Sequence, residues 1–243
     1  MWRNIYCKTL VFQGLNNLAE RAGLFYDPKK REGSNKLSPA YHRSNLSPDE
    51  FSLFIWGLIP SHIKNEQQAK EIREYTLNAR SETIFEKPSF KESIRERRCL
   101  IAVTGFFEWM EFKSKKYPHY IFLKDEEQFA LGGIWDEWTN SETGEKTNSF
   151  SIVTTEANPM MEKIHNSKMR MPLILGQNER EEWIRSDLKE NDIVELMKPF
   201  DENKMDAFTI SRRITSRTEN PNSEEVLNKV VYPELMNEQQ SLF

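Results

Sequence analysis

The sequence is poor in the residues that make disulfides and metal sites. Its 243 residues include only two cysteines, Cys7 and Cys99, and four histidines. Two thiols cannot build a disulfide framework, and few histidines without paired cysteines argue against a structural zinc site. Long apolar runs are also missing, and the first fifteen residues lack the apolar core of a secretory signal. We therefore expect a reduced, cytoplasmic protein with no membrane segment, no metal and no dissociable cofactor.

The chain also lacks a strong charge of one sign. Its formal net charge is −4 at pH 7, whereas a strongly basic domain would favour binding to nucleic acid. Basic residues cluster in the ranges 29–36 and 91–98, but on charge alone such clusters are more typical of a solvated surface. The hydrophobic content of 37% is sufficient for a packed core. Composition therefore predicts a soluble globular protein without identifying its partner.

Apolar periodicity predicts an α+β fold. We predict strands at 51–59, 100–110, 120–123, 129–138, 150–155 and 207–210, and helices at 16–21, 65–75, 88–97, 158–164, 179–184 and 192–197. Gly144 indicates a hairpin turn, and the polar range 27–49 is interpreted as a long loop. Because strands and helices do not alternate regularly, we expect a single domain with a mostly antiparallel β core flanked by helices.

Glu108 is the clearest chemical anomaly. It interrupts the apolar run Phe106-Phe107-Glu108-Trp109-Met110, where an ionised carboxylate is expensive to desolvate. Strand alternation places Glu108 on the face of Phe106 and Met110. If that face is buried, the pKa of Glu108 rises and the carboxyl suits proton transfer near neutral pH. If the face points outward, Glu108 is simply solvated.

Four other positions have both a functional and a structural interpretation. Asn78 and Arg80 are two residues apart. In a strand, both side chains would lie on one face, where the amide can donate and accept hydrogen bonds and the guanidinium can bind a phosphate. In a loop, they would instead hydrogen-bond to the backbone of the loop. His165 closes a short helical segment, where a histidine taken alone is most often a surface or capping residue. Trp56 is typical of a core strand, although exposed aromatics also stack on unpaired bases. Cys99, at the start of a strand, is interpreted as structural.

Taken in order, these segments resemble the SRAP family (SOS-response-associated peptidases), whose members link covalently to abasic sites in single-stranded DNA. The resemblance runs from about Phe51 to about Ile210. It rests on Trp-Gly-Leu-Ile-Pro at 56–60, Asn-Ala-Arg-Ser-Glu-Thr at 78–83, Glu-Lys-Pro-Ser-Phe at 86–90, Arg-Cys at 98–99, Gly-Phe-Phe-Glu-Trp at 105–109, Thr-Thr-Glu-Ala-Asn at 154–158 and Arg-Met-Pro at 170–172.

The resemblance implies an antiparallel-sheet core with a concave DNA-binding face. It also implies that Asn78, Glu108 and His165 surround a reactive cysteine, and that Arg80 and Arg170 lie on the DNA side. We add Trp56 to the DNA side as a residue that could stack on a base. The expected activity is that of a DNA-damage enzyme, lyase-like or self-processing, acting as a monomer on single-stranded DNA that contains abasic sites.

The family reaction requires a cysteine at the amino terminus. A free α-amine, with a reference pKa of about 7.7–8.0, can form a Schiff base with the aldehyde of an opened abasic sugar. The thiol of the same residue then closes a thiazolidine ring. The nitrogen of an internal cysteine is an amide and cannot react in this way. This chain begins Met1-Trp2, where the family normally has cysteine second, so Cys7 is the only candidate present.

We therefore hypothesise that residues 1–6 are a propeptide whose removal exposes Cys7. A single SRAP-like domain would then span residues 1–243, with a core at 7–215 and a C-terminal tail at 216–243.

Three alternatives stay open. Met1-Trp2-Arg3 could represent a Met-Cys-aromatic opening that has lost its cysteine, which would make Cys7 a bystander. The polar range 38–49 is short for the strand that the family has there, so the chain could be a diverged relative that binds single-stranded DNA without linking to it. It could also be a cysteine peptidase in which His165 activates Cys7.

Overall fold

The computed structural model describes residues 39–216, 218 and 223–239, and Cys7 and the helix predicted at 16–21 lie outside this part of the chain. The strands are β1 (Pro39–Ser44), β2 (Ser47–Trp56), β3 (Asn78–Arg80), β4 (Arg98–Val103), β5 (Phe106–Phe112), β6 (Lys115–Leu123), β7 (Phe129–Thr139), β8 (Lys146–Glu156), β9 (Arg170–Pro172), β10 (Ile174–Leu175) and β11 (Met205–Thr209). The α-helices are α1 (Glu66–Arg73), α2 (Lys91–Glu96), α3 (Pro159–Ile164), α4 (Gln177–Trp183), α5 (Glu190–Leu196) and α6 (Pro233–Gln239). Short 3-10 helices occur at Glu202–Lys204, Arg212–Thr215 and Glu224–Leu227.

Five strands of the larger sheet close into a ring. β7 pairs with β4, β4 with β1, β1 with β2, β2 with β8, and β8 again with β7. Only the β2–β8 pairing in this ring is parallel. The length of β7 permits the closure, because its first half pairs with β4 as far as Ile134 and its second half pairs with β8 from Gly133 onward. Closure leaves these strands with few unpaired backbone edges.

Two short strands extend the ring at the end of β8. β3 lies parallel to β8, with Arg80 opposite Thr154, and β9 lies antiparallel to β8, with Pro172 opposite the same Thr154. A second, antiparallel sheet has the order β11-β6-β5, which makes β5 a terminal strand. Predicted site residues lie on β3, β5 and β9. Strands β3 and β9 belong to the larger sheet, and β5 belongs to the second sheet.

Side chains on alternate positions of β4 fill two different parts of the core. Cys99, Ile101 and Val103 belong to a cluster that also contains Phe106 and Ile121 of the second sheet and Met161 and Ile164 of α3. Leu100 belongs to another cluster, with Trp183 of α4 and Ile193 of α5. Each such buried side chain contributes roughly 1.5–3 kcal/mol. The first cluster therefore holds together the ring, the second sheet and α3.

Arg98 is fully buried and ties two helices to β4. Its guanidinium donates to the carbonyls of Ile94 (2.8 Å) and Arg95 (2.6 Å) at the end of α2. It also donates to the carbonyls of Trp183 (2.8 Å) and Arg185 at the end of α4. Carbonyls at helix C-termini lack intrahelical partners and favour a cation. Burial lowers the pKa of Arg98 to about 10, so the side chain still carries its charge at neutral pH.

The predicted fold class is confirmed, but two local predictions are wrong. Residues 39–49 are not loop: they form β1 and the start of β2, whose backbone groups are satisfied by pairing regardless of side-chain polarity. The range 100–110 is two strands, β4 and β5, in different sheets. The chain passes between them at Gly105, where a Cβ atom would lie 2.4 Å from the ring of Tyr120. The turn predicted at Gly144 is confirmed, with a φ of 73° between β7 and β8.

The end of the described chain packs on the second sheet. Val226 is 2% exposed and lies in a cluster with Phe107 and Ile214. The Tyr117 hydroxyl donates to Glu234 of α6 at 2.9 Å. Part of the predicted C-terminal tail therefore covers the face of β5 opposite Glu108. In the described ranges, no helix has both the length and the apolar character required to span a bilayer.

Candidate active site

Glu108 points into the protein from β5. The carboxyl is 3% exposed, and Phe106, two residues earlier on the same face, lies in the first core cluster. The inward of the two orientations left open by the sequence is therefore correct. Burial raises the pKa of Glu108 to about 8, although a hydrogen bond from the Trp109 backbone lowers it in part. Glu108 is consequently a neutral carboxylic acid near pH 7, able to donate a proton.

His165 is held at the end of α3. The helix begins at the Asn158 cap, whose side chain accepts from the Met161 N–H, and ends so that the His165 N–H donates to the Met161 carbonyl at 2.7 Å. The imidazole is buried, and its Nδ1 lies 2.9 Å from the Arg170 carbonyl oxygen. Because a carbonyl only accepts, Nδ1 carries the proton in this contact.

The environment keeps His165 neutral. Burial is the largest cause and lowers the pKa of His165, the hydrogen bond to the Arg170 carbonyl raises it, and the positive charges of Lys168, Arg170 and Lys116 lower it further. A neutral imidazole can accept a proton during a reaction. The same three cations indicate that the surroundings of His165 are locally positive in an acidic chain.

Glu108 and His165 lie side by side but are not hydrogen-bonded to each other. Glu108 Oε1 lies 3.6 Å from His165 Nδ1, which is longer than a hydrogen bond. In the part of the chain that the structure describes, this carboxyl oxygen has no hydrogen-bond partner. A neutral acid beside a neutral base can give a proton to one atom of a bound molecule and take one from another without leaving a buried net charge.

Arg170, on β9, holds the imidazole of His165 in position. Its guanidinium donates to the two oxygens of Glu82 at 2.5 and 2.9 Å and to the Thr154 carbonyl at 2.7 Å. Burial is the largest single cause and raises the pKa of Glu82, but the Arg170 side chain, a backbone hydrogen bond and the charge of Arg80 together outweigh it, so the pKa is lowered. The bidentate contact fixes Arg170, and the backbone carbonyl of Arg170 orients His165. The side chain predicted to face DNA is thus largely engaged within the protein, with 11% of its surface exposed.

Asn78 and Arg80 lie on β3, as the strand interpretation predicts. Ala79 between them is fully buried in the second core cluster, so the two polar side chains share the opposite face. Arg80 is exposed. Asn78 Oδ1 is buried and, in the described contacts, accepts no hydrogen bond. Such an oxygen is available to a donor from a bound group, for example an amine.

Trp56 belongs to the core and offers no surface to a nucleic-acid base. It is 6% exposed, and its ring stacks on Phe150 with centroids 6.4 Å apart. Its indole N–H donates to the Leu77 carbonyl at 2.7 Å, immediately before Asn78. The assignment of Trp56 to the DNA side is therefore corrected: the side chain supports the start of β3.

His119 is a candidate residue that the sequence did not reveal. It lies directly opposite Glu108 in the β5–β6 pairing and is buried. Nδ1 donates to the Tyr117 carbonyl at 2.9 Å; burial lowers the pKa of His119, and this bond raises it in part. A second neutral imidazole thus shares the face of Glu108. The strand predicted from the sequence begins at residue 120. Extending its alternation backward from Ile121 places His119 on the inner face.

The structure assigns no chemistry to Cys99. The side chain is fully buried, and burial raises the pKa of its thiol far above the usual range, so the predicted structural role is confirmed. Within the described residues, no group of three or more His, Cys, Asp or Glu side chains is suited to hold a metal ion.

The α+β fold thus places the carboxyl of Glu108 beside the imidazole of His165, and it places Asn78 and Arg80 on β3. These residue types can transfer protons and bind an anion. The chain belongs to the SRAP family, because the family model described as SOS response associated peptidase matches residues 25–241.

Named relatives and a solved structure are similar over most of the chain. The abasic site processing protein YoqW of Bacillus subtilis is 35% identical over 196 residues, covering 74% of this chain and 84% of the relative. The abasic site processing protein HMCES of Xenopus tropicalis is 29% identical over 213 residues, and the match covers 72% of this chain and 62% of that protein. A crystal structure of a Bacteroides thetaiotaomicron protein has a TM-score of 0.78 and 39% identity, covering 89% of this chain and 96% of that one.

Proposed function

We propose that this protein captures abasic sites in single-stranded DNA by forming a covalent thiazolidine through an amino-terminal cysteine, with Cys7 becoming that residue when residues 1–6 are removed. Family membership and the names of the relatives support action on abasic sites. The observation that carries the proposal is the buried pair of Glu108 and His165, held neutral at 3.6 Å from each other.

The reaction needs an acid when the imine forms. The α-amine of the cysteine adds to the sugar aldehyde and gives a carbinolamine, whose hydroxyl leaves as water once it accepts a proton. Glu108, protonated below pH about 8, is the group suited to donate that proton. Loss of water leaves an iminium ion. The thiol sulfur then bonds to the iminium carbon and the thiol proton returns to the Glu108 carboxylate, so the carboxyl is regenerated and the ring closes without any redox change. No metal or cofactor enters these steps.

The other residues receive roles that match their settings. Asn78 Oδ1, buried and unpaired among the described contacts, would accept a hydrogen bond from the attacking amine. His165 would exchange a proton with the sugar oxygen when the abasic sugar opens or recloses. Arg80, exposed beside Asn78, would contact a DNA phosphate. Arg170 would act mainly by orienting His165 through its carbonyl.

The decisive experiment compares a chain that begins at Cys7 with the full-length chain. Each is incubated with a single-stranded oligonucleotide containing one abasic site, and adducts that survive denaturation are counted on a gel. We expect an adduct with the shorter chain, and with the full-length chain only after residues 1–6 have been lost. Intact mass of the purified protein shows whether that loss has occurred.

The two cysteines provide a matched control. Cys7→Ala in the shorter chain should abolish the adduct, whereas Cys99→Ala should leave it. If the chain that begins at Cys7 binds the oligonucleotide but yields no adduct, covalent capture is wrong and non-covalent binding takes its place. Release of peptides from a protein substrate, lost with Cys7→Ala, would instead indicate a peptidase.

A further inference from the structure

Asn166 connects the turn that carries His165 to β5. Its side-chain Oδ1 accepts from the Glu111 backbone N–H at 3.0 Å, and its Nδ2 donates to the Glu111 carbonyl at 2.8 Å. One side chain thus makes both of the hydrogen bonds that a neighbouring strand residue would make with Glu111.

The position of Glu111 gives this contact its importance. β5 is the terminal strand of its sheet, so the side of the strand away from β6 is not paired by another described strand. Glu111 follows Glu108 by three residues, about 10 Å along the strand. A contact that fixes Glu111 against the turn therefore also fixes how far β5, with Glu108, lies from that turn.

The turn itself is closed by short-range hydrogen bonds. The N–H groups of Lys168 and Met169 donate to the His165 carbonyl at 3.1 and 2.8 Å, and Met169 has a φ of 52° before β9 begins. His165 is bound to α3 through Met161 and to β9 through Arg170, so it belongs with the ring. Glu108 belongs to the second sheet.

Met161 and Ile164 of α3 lie in one core cluster with Phe106 of β5, and these apolar contacts bring the two bodies together but are not directional. The paired hydrogen bonds of Asn166 are directional.

We propose that Asn166 is a positioning residue: by docking the 165–169 turn on the open edge of β5, it sets the separation between Glu108 and His165. Its consequence for catalysis rests on the proposed function, but its effect on the environment of His165 does not. Among the described residues, the charged and titratable groups that face His165 include Glu108 from β5, Lys116 from β6, Lys168 from its own turn and Arg170 from β9.

The test compares Asn166→Ala with a matched variant, Asn140→Ala. Asn140 also binds backbone through its amide, since its Oδ1 accepts from the N–H of Glu142 at 2.9 Å, but it lies in the β7–β8 turn. NMR titration of the ring C–H signals gives the pKa of His165. In Asn166→Ala, water should reach the imidazole, and the pKa should rise toward its ordinary value of 6.5. In Asn140→Ala it should stay at the wild-type value.

A kinetic readout accompanies the titration. With saturating abasic DNA, Asn166→Ala should slow adduct formation roughly tenfold while leaving affinity for undamaged single-stranded DNA unchanged. An unchanged pKa of His165 in Asn166→Ala, or an equal shift in Asn140→Ala, overturns the proposal. If the chain that begins at Cys7 and retains Asn166 forms no adduct, the proposed function fails, and the titration still decides the role of Asn166.

A second variant covers the case in which Asn166→Ala does not fold. Glu111→Pro removes the N–H at the other end of the contact, on an edge where proline is tolerated. A rise in the pKa of His165 in this variant supports the proposal, and an unchanged value contradicts it.

Discussion

Glu108 and His165 differ from most buried ionisable residues because neither depends on the other for charge compensation. Burial is the main cause that favours the protonated carboxyl and the neutral imidazole, and nearby positive charges add to it at His165. The pair therefore does not need to break a salt bridge before it acts. Under the proposed function, one member would donate a proton to the opened sugar and the other would accept one, which leaves no buried net charge.

Glu108 should make the folding stability depend on pH. The unfolded carboxyl ionises near 4.5, and the folded one near 8, so between these values the folded state holds a proton that the unfolded state has released. The free energy of unfolding must then fall as pH rises through this window. Glu108→Gln removes the penalty, and its stability relative to wild type should grow by a few kcal/mol from pH ~5 to ~9.

Urea unfolding at a series of pH values measures this effect. Glu111→Gln is the matched control, because Glu111 is an exposed carboxylate on the same strand. Parallel pH curves for wild type and Glu108→Gln would show that Glu108 is ionised in the folded protein.

The same protonation should shape the rate of adduct formation. For the chain beginning at Cys7, the rate should rise as the α-amine loses its proton near pH 7.7–8.0 and fall above pH about 8 as Glu108 ionises. In Glu108→Gln the descending limb should disappear and the maximum should drop at least roughly a hundredfold. Single-turnover rates across pH test this, and a descending limb that persists in Glu108→Gln would assign it to another group.

At the scale of elements, local patterns predicted more than pairing did. Alternation put Glu108 on the face of Phe106 without deciding whether that face is buried, and the spacing of Asn78 and Arg80 left a strand and a loop equally open; only the structure shows the buried face and the strand β3. The hairpin of β1 and β2 was missed, because its polar residues carry no apolar alternation. The closed ring could not be deduced either, since it depends on β7 pairing with two partners far apart in sequence.

The candidate site could be predicted only in part, because it too depends on contacts between elements that are far apart in sequence. Periodicity can place a residue on a face, but the 3.6 Å approach of Glu108 to His165 requires β5 and α3 to meet. The family resemblance implied that Glu108 and His165 lie close together, whereas the spacing of residues in the sequence did not indicate it. Trp56 shows the limit of this reasoning, because a tryptophan in a strand gives the same pattern whether it stacks on a base or on Phe150.

Arg98 should be critical for the docking of α2 and α4. Arg98→Met keeps much of the side-chain volume but leaves the four carbonyls it serves without a donor, and we expect unfolding to become easier by about 3 kcal/mol. Arg98→Lys retains one charge and should lose less. Chemical unfolding measures both, and a loss below about 1 kcal/mol for Arg98→Met would mean that the carbonyls find other partners.

At the scale of the whole molecule, the net charge is negative, whereas the region around His165 is locally positive. The chain carries −4, yet Lys116, Lys168 and Arg170 all act on His165, and Arg80 is exposed on β3. Interactions at such short range are less screened than the overall charge. A negatively charged polymer can therefore be attracted to this one region of an acidic protein.

Binding to undamaged single-stranded DNA should accordingly weaken as salt increases, with each phosphate contact adding about 0.7 to the slope of log affinity against log salt. Arg80→Ala should reduce that slope by about one contact. Lys146→Ala is the control, because Lys146 is paired with Glu137 at 2.8 Å in the β7–β8 hairpin. An equal loss of slope in the two variants would remove Arg80 from the DNA contact.

The burial of Cys99 makes this protein convenient for thiol-directed labelling. Of the two cysteines in the chain, Cys99 lies on β4 in the first core cluster, with a thiol whose pKa is raised so far that almost no thiolate exists at neutral pH. Alkylating reagents need that thiolate. Any modification of the folded protein therefore reports on Cys7, and protection of Cys7 by abasic DNA can be followed by mass spectrometry without removing the second cysteine.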